Sequence, residues 1–184
     1  MYSLTIETIP QLIIGFKLRK PEIEIDLIIG SNQELLAQLE HDQLDAMLIS
    51  ISDSSLDKNL FEVLPLFEDD LFIAGPIDSP LLAKPDVSLQ DLQEQNFIAL
   101  SEGFVTYHSL NKAFASTNFK PHISMYVNDI FSLINLVQAG VGFSLLPGRM
   151  KTAYLNTVNL RKVSLLVKPL AWYLPEAVSA ILTF

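Results

Sequence analysis

The chain contains no cysteine. Disulfide frameworks, thiol nucleophiles and cysteine-held zinc are therefore excluded together. Cations are scarce as well: 12 Lys and Arg stand against 21 Asp and Glu, a formal charge of -9, and the densest basic group is the KLRK of residues 17–20. Neutralising a polyanion requires clustered cations, so this chain by itself is a poor binder of nucleic acid. No apolar run reaches the roughly 18 to 20 residues that span a bilayer, because Lys, Asp, Glu or Pro interrupts each one. No basic stretch leads into an apolar one at the N-terminus in the manner of a secretory leader, so the expectation is a cytoplasmic protein with no membrane partner.

What the chain does have is apolar material: 49% of its 184 residues, with a mean hydropathy of +0.33. That is enough for a core in one domain or in two small lobes, and it rules out disorder. Ile9, Leu12, Ile13 and Phe16 fall on one face of a helix over residues 6–20, which Pro21 ends. Residues 23–29, IEIDLII, alternate and then become wholly apolar, which predicts a strand covered on both faces. Ser31 followed by Glu34 is a capping-box pattern that starts a helix at once, and DAMLIS at 45–50 reads as the next strand. Helix and strand alternating through short connections predict a parallel sheet.

Beyond residue 50 come two strand-like runs at 61–67 and 69–75, then a passage holding Pro76, Pro80 and Pro85 that reads as a crossover between lobes. A second series follows: a short helix capped by Ser88, a buried strand at 97–100, a turn and helix from 101, and a strand at 122–127. Ile130, Leu133, Ile134 and Val137 line one face of the next helix, begun by Asn128 or Asp129. Gly140 is placed as its C-terminal cap, where positive φ costs nothing, and Phe143, Leu145 and Leu146 form a short buried strand ended by Pro147-Gly148. The last residues, LAWYLPEAVSAILTF, read as helical.

Little in this chain resembles a catalytic centre. His41, His108 and His122 lack any local partner pattern for nucleophilic catalysis and are too dispersed for a metal site. An enzyme would have only His108 in its favour, and nothing asks for a cofactor. GSNQ at 30–33 lacks the glycine spacing and lysine of a phosphate loop, and Asp69-Asp70 reads as ordinary surface charge. Phe61, Phe67, Phe72 and Phe97 read as core. What recurs is a junction: hydroxyl or amide residues where an apolar strand hands over to a helix. Ser3 and Thr5, Ser31 and Asn32, Ser50, Ser101 and Thr106, and Asn128 all occupy such places. Singly, each reads as an N-cap. Together, facing one crevice at the carboxyl ends of strands, they suit a small polar or anionic ligand held without catalysis.

These segments, in this order, resemble a known family. IPQLIIGFKLRKPEIEIDLIIGSNQELLAQLEHDQLDAMLI, PLFEDDLFIAGPIDSPLL and VNDIFSLINLVQAGVGFSLLPGRM resemble the effector-binding domain of LysR-type transcriptional regulators, across nearly the whole chain. YSLTIET, GSNQELL, LSEGFVTY and LVQAGVGFSLLPGRM look more narrowly like the malonate-utilisation branch. The resemblance implies an α/β, two-lobed fold like that of periplasmic binding proteins, each lobe a small, mostly parallel sheet flanked by helices. Lobe I would be 1–75 plus 164–184 and lobe II 76–163.

It further implies a non-enzymatic sensor of a small, malonate-like carboxylate that works as a homodimer or tetramer. Promoter DNA would be read by a helix-turn-helix domain outside this chain. Effector contacts would fall on Ser3, Ser31, Ser50, the 101–104 turn with Gly103 and Phe104, and Asn128. Arg149, just past the LLPG turn, is the nearest cation for a carboxylate. The rival two-lobed class is the solute-binding protein of a transporter.

Overall fold

The computed structural model describes residues 8–51, 61–163 and 176–182. Helices α1 (Thr8–Arg19) and α2 (Asn32–Glu40) precede strands β1 (Ala46–Ile51), β2 (Glu62–Asp69) and β3 (Leu71–Gly75). After a single turn of 3-10 helix at Leu89–Leu92 come β4 (Asn96–Leu100), α3 (Val105–Ala115), β5 (His122–Val127), α4 (Ile130–Gln138) and β6 (Ser144–Pro147). The short α5 (Lys151–Tyr154), β7 (Asn159–Lys162) and β8 (Glu176–Leu182) complete the order. None of the described helices is long and apolar enough to cross a membrane.

Two sheets result. In the first, β8 lies between β1 and β2 and runs against both, so β1 and β2 share a direction. In the second, β3 runs against β6 on one side and β7 on the other, while β4 and β5 pair in parallel. A parallel bridge between Phe97 and Phe143 joins the two groups, with Ile98 N–H donating to Phe143 O and Phe143 N–H to Asn96 O, each at 2.8 Å. The order across the second sheet is therefore β5, β4, β6, β3, β7, with β3 the one reversed strand.

That sheet is covered on both faces. Leu110, Ala113 and Phe114 of α3 pack with Ile73, Phe97, Ala99 and Leu145, while Ile130, Leu133, Ile134 and Val137 of α4 pack with Ala74, Ile98, Leu100 and Leu146. Successive strand residues point to opposite faces, which is why the nearly continuous apolar runs at 71–75, 97–100 and 143–146 feed two clusters. The first sheet is covered by α2, through Leu35 and Leu39 against Met47, Ile49 and Phe61.

Three expectations need correction. Residues 23–29 form no strand: Ile23, Ile25, Leu27, Ile28 and Ile29 are all exposed, between 37% and 51%, and none of the described strands pairs with them. Alternation encodes a surface to bury, whereas a strand also needs a neighbour for its N–H and C=O groups. The last residues, read as helical, contain β8 instead. EAVSAIL is a short apolar run that periodicity cannot assign, and its place between β1 and β2 decides it. Finally, β3 lies on the lobe I side of a boundary at residue 75 but hydrogen bonds to β6 and β7 of the second sheet, so the chain changes sheets at Asp69-Asp70, ahead of the proline passage.

Candidate functional site

Because β4, β5 and β6 run in one direction, their carboxyl ends share one edge of the second sheet, and the residues that follow them, Ser101, Asn128 and Gly148-Arg149, gather there. Helix N-termini at such an edge present unbonded N–H groups. α3 starts beside it, with Phe104 as N-cap in an extended conformation and no side chain capping the helix. Thr106 sits half-buried in its first turn, and an added Cβ at the exposed Gly103 would meet open space. The neighbouring helices differ. Asp129 caps α4, its Oδ1 accepting the Ser132 N–H at 2.8 Å, and Ser31 caps α2.

Ser101 and Asn128 are brought into direct contact. The Ser101 hydroxyl donates to Asn128 Oδ1 and also reaches Val127 O at 3.2 Å, while Ser101 N–H donates to Val127 O. An amide whose oxygen is taken has its NH2 as the donor end. This edge thus combines an amide donor and the first-turn N–H groups of an uncapped helix, both suited to an oxyanion.

On the first lobe, Ser31 makes a full capping box. Glu34 N–H donates to Ser31 Oγ at 3.2 Å, and both Ser31 N–H and Oγ donate to Glu34 Oε2, at 3.0 and 2.8 Å. These bonds, the Ser31 N–H first and its hydroxyl second, lower the Glu34 pKa below the usual carboxylate value. Asp129 is lowered in the same way, by the Ser132 hydroxyl and then its N–H. The donors of Ser31 are therefore already serving a carboxylate of the chain itself. Asn32 follows as the first residue of α2. Ser50 lies in β1, opposite Val178. Ser3 and Thr5 lie outside the described residues.

Arg149 reaches the same edge but is occupied. Its Nη1 meets Asp69 Oδ2 at 2.7 Å, its backbone N–H donates to both Asp69 oxygens at 3.2 Å, and the two side chains are only 9% and 10% exposed. Asp69, read from sequence as surface charge, is a buried ion-pair partner, and 80 residues of separation hide that pairing from any local pattern. Asp70 does remain at the surface and pairs with Lys162 at 2.5 Å. His41 closes α2 with Nδ1 at 2.7 Å from Ala37 O, His122 bonds Asn96, and His108 is exposed beside the Tyr107 ring. Among the described residues no group of His, Asp and Glu is placed to hold a metal.

Residues 1–174 match the family described as LysR substrate binding domain. The malonate utilization transcriptional regulator of Klebsiella pneumoniae is 51% identical over 164 residues, which cover 89% of this chain and 53% of that protein. The Hca operon transcriptional activator HcaR of Escherichia coli (strain K12) is 26% identical over 176 residues, 95% of this chain and 56% of that protein. The chain thus spans about half the length of the curated relatives it matches. Among solved structures, the effector-binding domain of QuiR in complex with shikimate aligns with a TM-score of 0.81 at 21% identity, covering 99% of this chain and 83% of that one. The BenM effector-binding domain with its effector benzoate aligns with a TM-score of 0.80 at 18% identity, covering 100% of this chain and 80% of that one. The two sheets, their flanking helices and the crossover between them are thus the α/β, periplasmic-binding-protein-like fold of effector-binding domains, and with the family match running through residue 174 the chain belongs to the LysR substrate-binding domain family.

Proposed function

We propose that this chain is the effector-sensing part of a LysR-type transcriptional regulator and that it takes a small carboxylate of the malonate type at the edge formed by Ser101, the start of α3 and Asn128. The observation that carries the reading is that α3, unlike α2 and α4, has no side-chain cap, while Ser101 fixes the Asn128 amide beside it. The relative at 51% identity, by name a malonate utilization regulator, supplies the effector class. Ser31 is assigned here to capping α2, because an incoming carboxylate would have to displace Glu34 and would meet its charge. Lobe I comprises β1, β2, β8 and α2, and lobe II the remainder from β3 to β7. A ligand of this kind regulates only if it binds one arrangement of the whole regulator better than another. Promoter DNA is read by a part of the regulator outside these residues. A transporter's solute-binding protein, the other two-lobed class, draws no support from relatives that are named as regulators.

The test is a titration of malonate, a monocarboxylate of similar size and the neutral diamide, read by thermal shift and calorimetry. Malonate at a hundredfold its Kd is expected to stabilise the chain by about 2.7 kcal/mol, and the diamide to do nothing. Asn128→Ala removes a bond to a charged acceptor, worth roughly 1.5 kcal/mol or more, so affinity falls about tenfold or further. Ser31→Ala lowers stability by about 1 kcal/mol through the lost cap and leaves malonate affinity unchanged. An equal response to the diamide, or full affinity in Asn128→Ala, rejects the carboxylate reading.

Self-association fits the same architecture. α1 buries none of its residues, and Leu12, Ile14, Phe16 and Leu18 are exposed on it, as is Phe131 on α4. Pairing side by side through helices of both lobes would cover them. Ile14→Asp is expected to convert a dimer to monomer in sedimentation velocity, and a parent that sediments as a monomer at high concentration contradicts the pairing.

A further inference from the structure

The chain leaves the first sheet at Asp69, the last residue of β2, and enters the second at Leu71, the first of β3. A single residue, Asp70, separates two sheets that an effector between the lobes must act across. A crossover this short would be a free hinge if nothing held it, since two backbone dihedrals per residue are soft.

It is held from the second lobe. Asp69 projects its carboxylate onto Arg149, accepting the backbone N–H on both oxygens and the guanidinium on Oδ2, in a site where both side chains are about nine-tenths buried. Gly148, immediately before, donates its N–H to Asp70 O at 2.8 Å. The approach is close enough to require glycine: a Cβ at residue 148 would lie 2.9 Å from Asp69 Oδ1 and 2.6 Å from the Phe72 ring. Beside it, Val163 N–H donates to Leu71 O at 3.1 Å, tying the end of β7 to the same junction. One residue further on, Asp70 pairs with Lys162, but in the open, with side chains 47% and 63% exposed.

We propose that Asp69, Gly148 and Arg149 form an inter-lobe clasp that fixes the angle at which the two lobes meet, whatever ligand the crevice takes. A buried charge-assisted pair that also captures a backbone N–H defines direction as well as distance, which an exposed ion pair does not. The clasp reassigns two charges that the sequence reads otherwise: Arg149, the cation offered to an effector, is committed to the crossover, and Asp69, read as surface charge, is its counter-ion.

The test uses this chain, whose lack of cysteine allows site-specific labels. Spin labels at Ala37→Cys on α2 and Asn111→Cys on α3, both exposed, report the inter-lobe distance, and residue-resolved hydrogen exchange reports the junction. In Asp69→Asn, and independently in Gly148→Ala, the distance distribution is expected to broaden, with exchange at the Gly148 and Arg149 amides at least tenfold faster. The Ile98 and Phe143 amides, inside the second sheet, should keep the parent rate. Asp70→Asn should behave as the parent. Unchanged distance and exchange in Asp69→Asn would overturn the proposal, as would a uniform acceleration that includes Ile98 and Phe143, because the pair would then only add stability. Equal effects from Asp70→Asn and Asp69→Asn would overturn it too, by removing the distinction between buried and exposed pairs.

Discussion

Phe97→Ala is expected to lower the stability of the chain by about 3–5 kcal/mol, which for a protein of this length lowers the melting midpoint by roughly 10 °C. Phe97 is fully buried at the centre of the cluster under α3, meeting the Phe114 ring edge-on at 4.9 Å and the Phe143 ring at 6.4 Å. Two losses therefore combine: the transfer and cavity cost of removing a ring from a close-packed site, and the aromatic pair energy, near 1 kcal/mol. Relaxation has little room, because Gly75 opposite is already so close that a Cβ there would lie 2.5 Å from the Phe143 ring. The bonds that join β4 to Phe143 flank Phe97, from Asn96 O and Ile98 N–H, so disorder at this residue would separate the carboxyl edge of β4 and β5 from the rest of the sheet. Phe97→Leu should cost no more than about 1.5 kcal/mol, since it restores most of the volume. Thermal denaturation of the two variants measures the contrast, and a Phe97→Ala midpoint within 2 °C of the parent would show that the cluster is not the core it is taken for.

The parts of this fold that could be read from sequence are those whose cause is local. The capping box of Ser31 and Glu34 needs only three residues of spacing, and its bonds are present. The apolar stripe Ile130, Leu133, Ile134, Val137 is a 3.6-residue period, and all four are buried. Where burial depends on a distant partner, the sequence misleads. IEIDLII carries the right alternation and has no strand beside it among the described residues, while EAVSAIL, with no marked alternation, becomes a central strand because two others flank it. Phe61 and Phe97 are buried as expected, yet Phe67 and Phe72 are only half-buried.

The candidate site divides in the same way. That Ser101 and Asn128 each follow a strand is legible; that the hydroxyl of one bonds the amide of the other, across 27 residues, follows from β4 and β5 being parallel neighbours. Arg149 was legible as a cation beside the edge, but its pairing with Asp69, 80 residues away, carried no signal at all. The nearest thing to one was two adjacent carboxylates set between apolar runs, a place where solvent is not the default.

Gly140→Val is expected to destabilise the chain by about 1–3 kcal/mol while leaving effector affinity per folded molecule unchanged. Gly140 has φ +78°, the left-handed conformation, and it closes α4 with a paired set of bonds: Gly140 N–H to Val137 O and Val141 N–H to Leu136 O, both 3.1 Å. This is the Schellman arrangement, and a β-branched residue resists its backbone angle more than most. Space is not the obstacle, since the nearest atom to an added Cβ is Pro76 Cγ at 4.0 Å. Gly142, two residues on, presents the opposite case. Its φ is not in the left-handed region, but a Cβ there would lie 2.8 Å from the carbonyl oxygen of Asn96, a backbone atom of β4 that cannot turn aside. The two glycines of AGVG thus answer to different constraints, one to backbone angle and the other to distance, and a pair of substitutions separates them. Gly140→Asn should recover much of the stability lost in Gly140→Val, because Asn tolerates the left-handed region, whereas Gly142→Asn should be no better than Gly142→Ala. Asn128 precedes the opposite end of α4, so malonate titration of folded Gly140→Val should match the parent once the unfolded fraction is removed. A variant that melts like the parent yet loses the ligand would place residue 140 at the proposed effector edge and end its assignment as a helix cap.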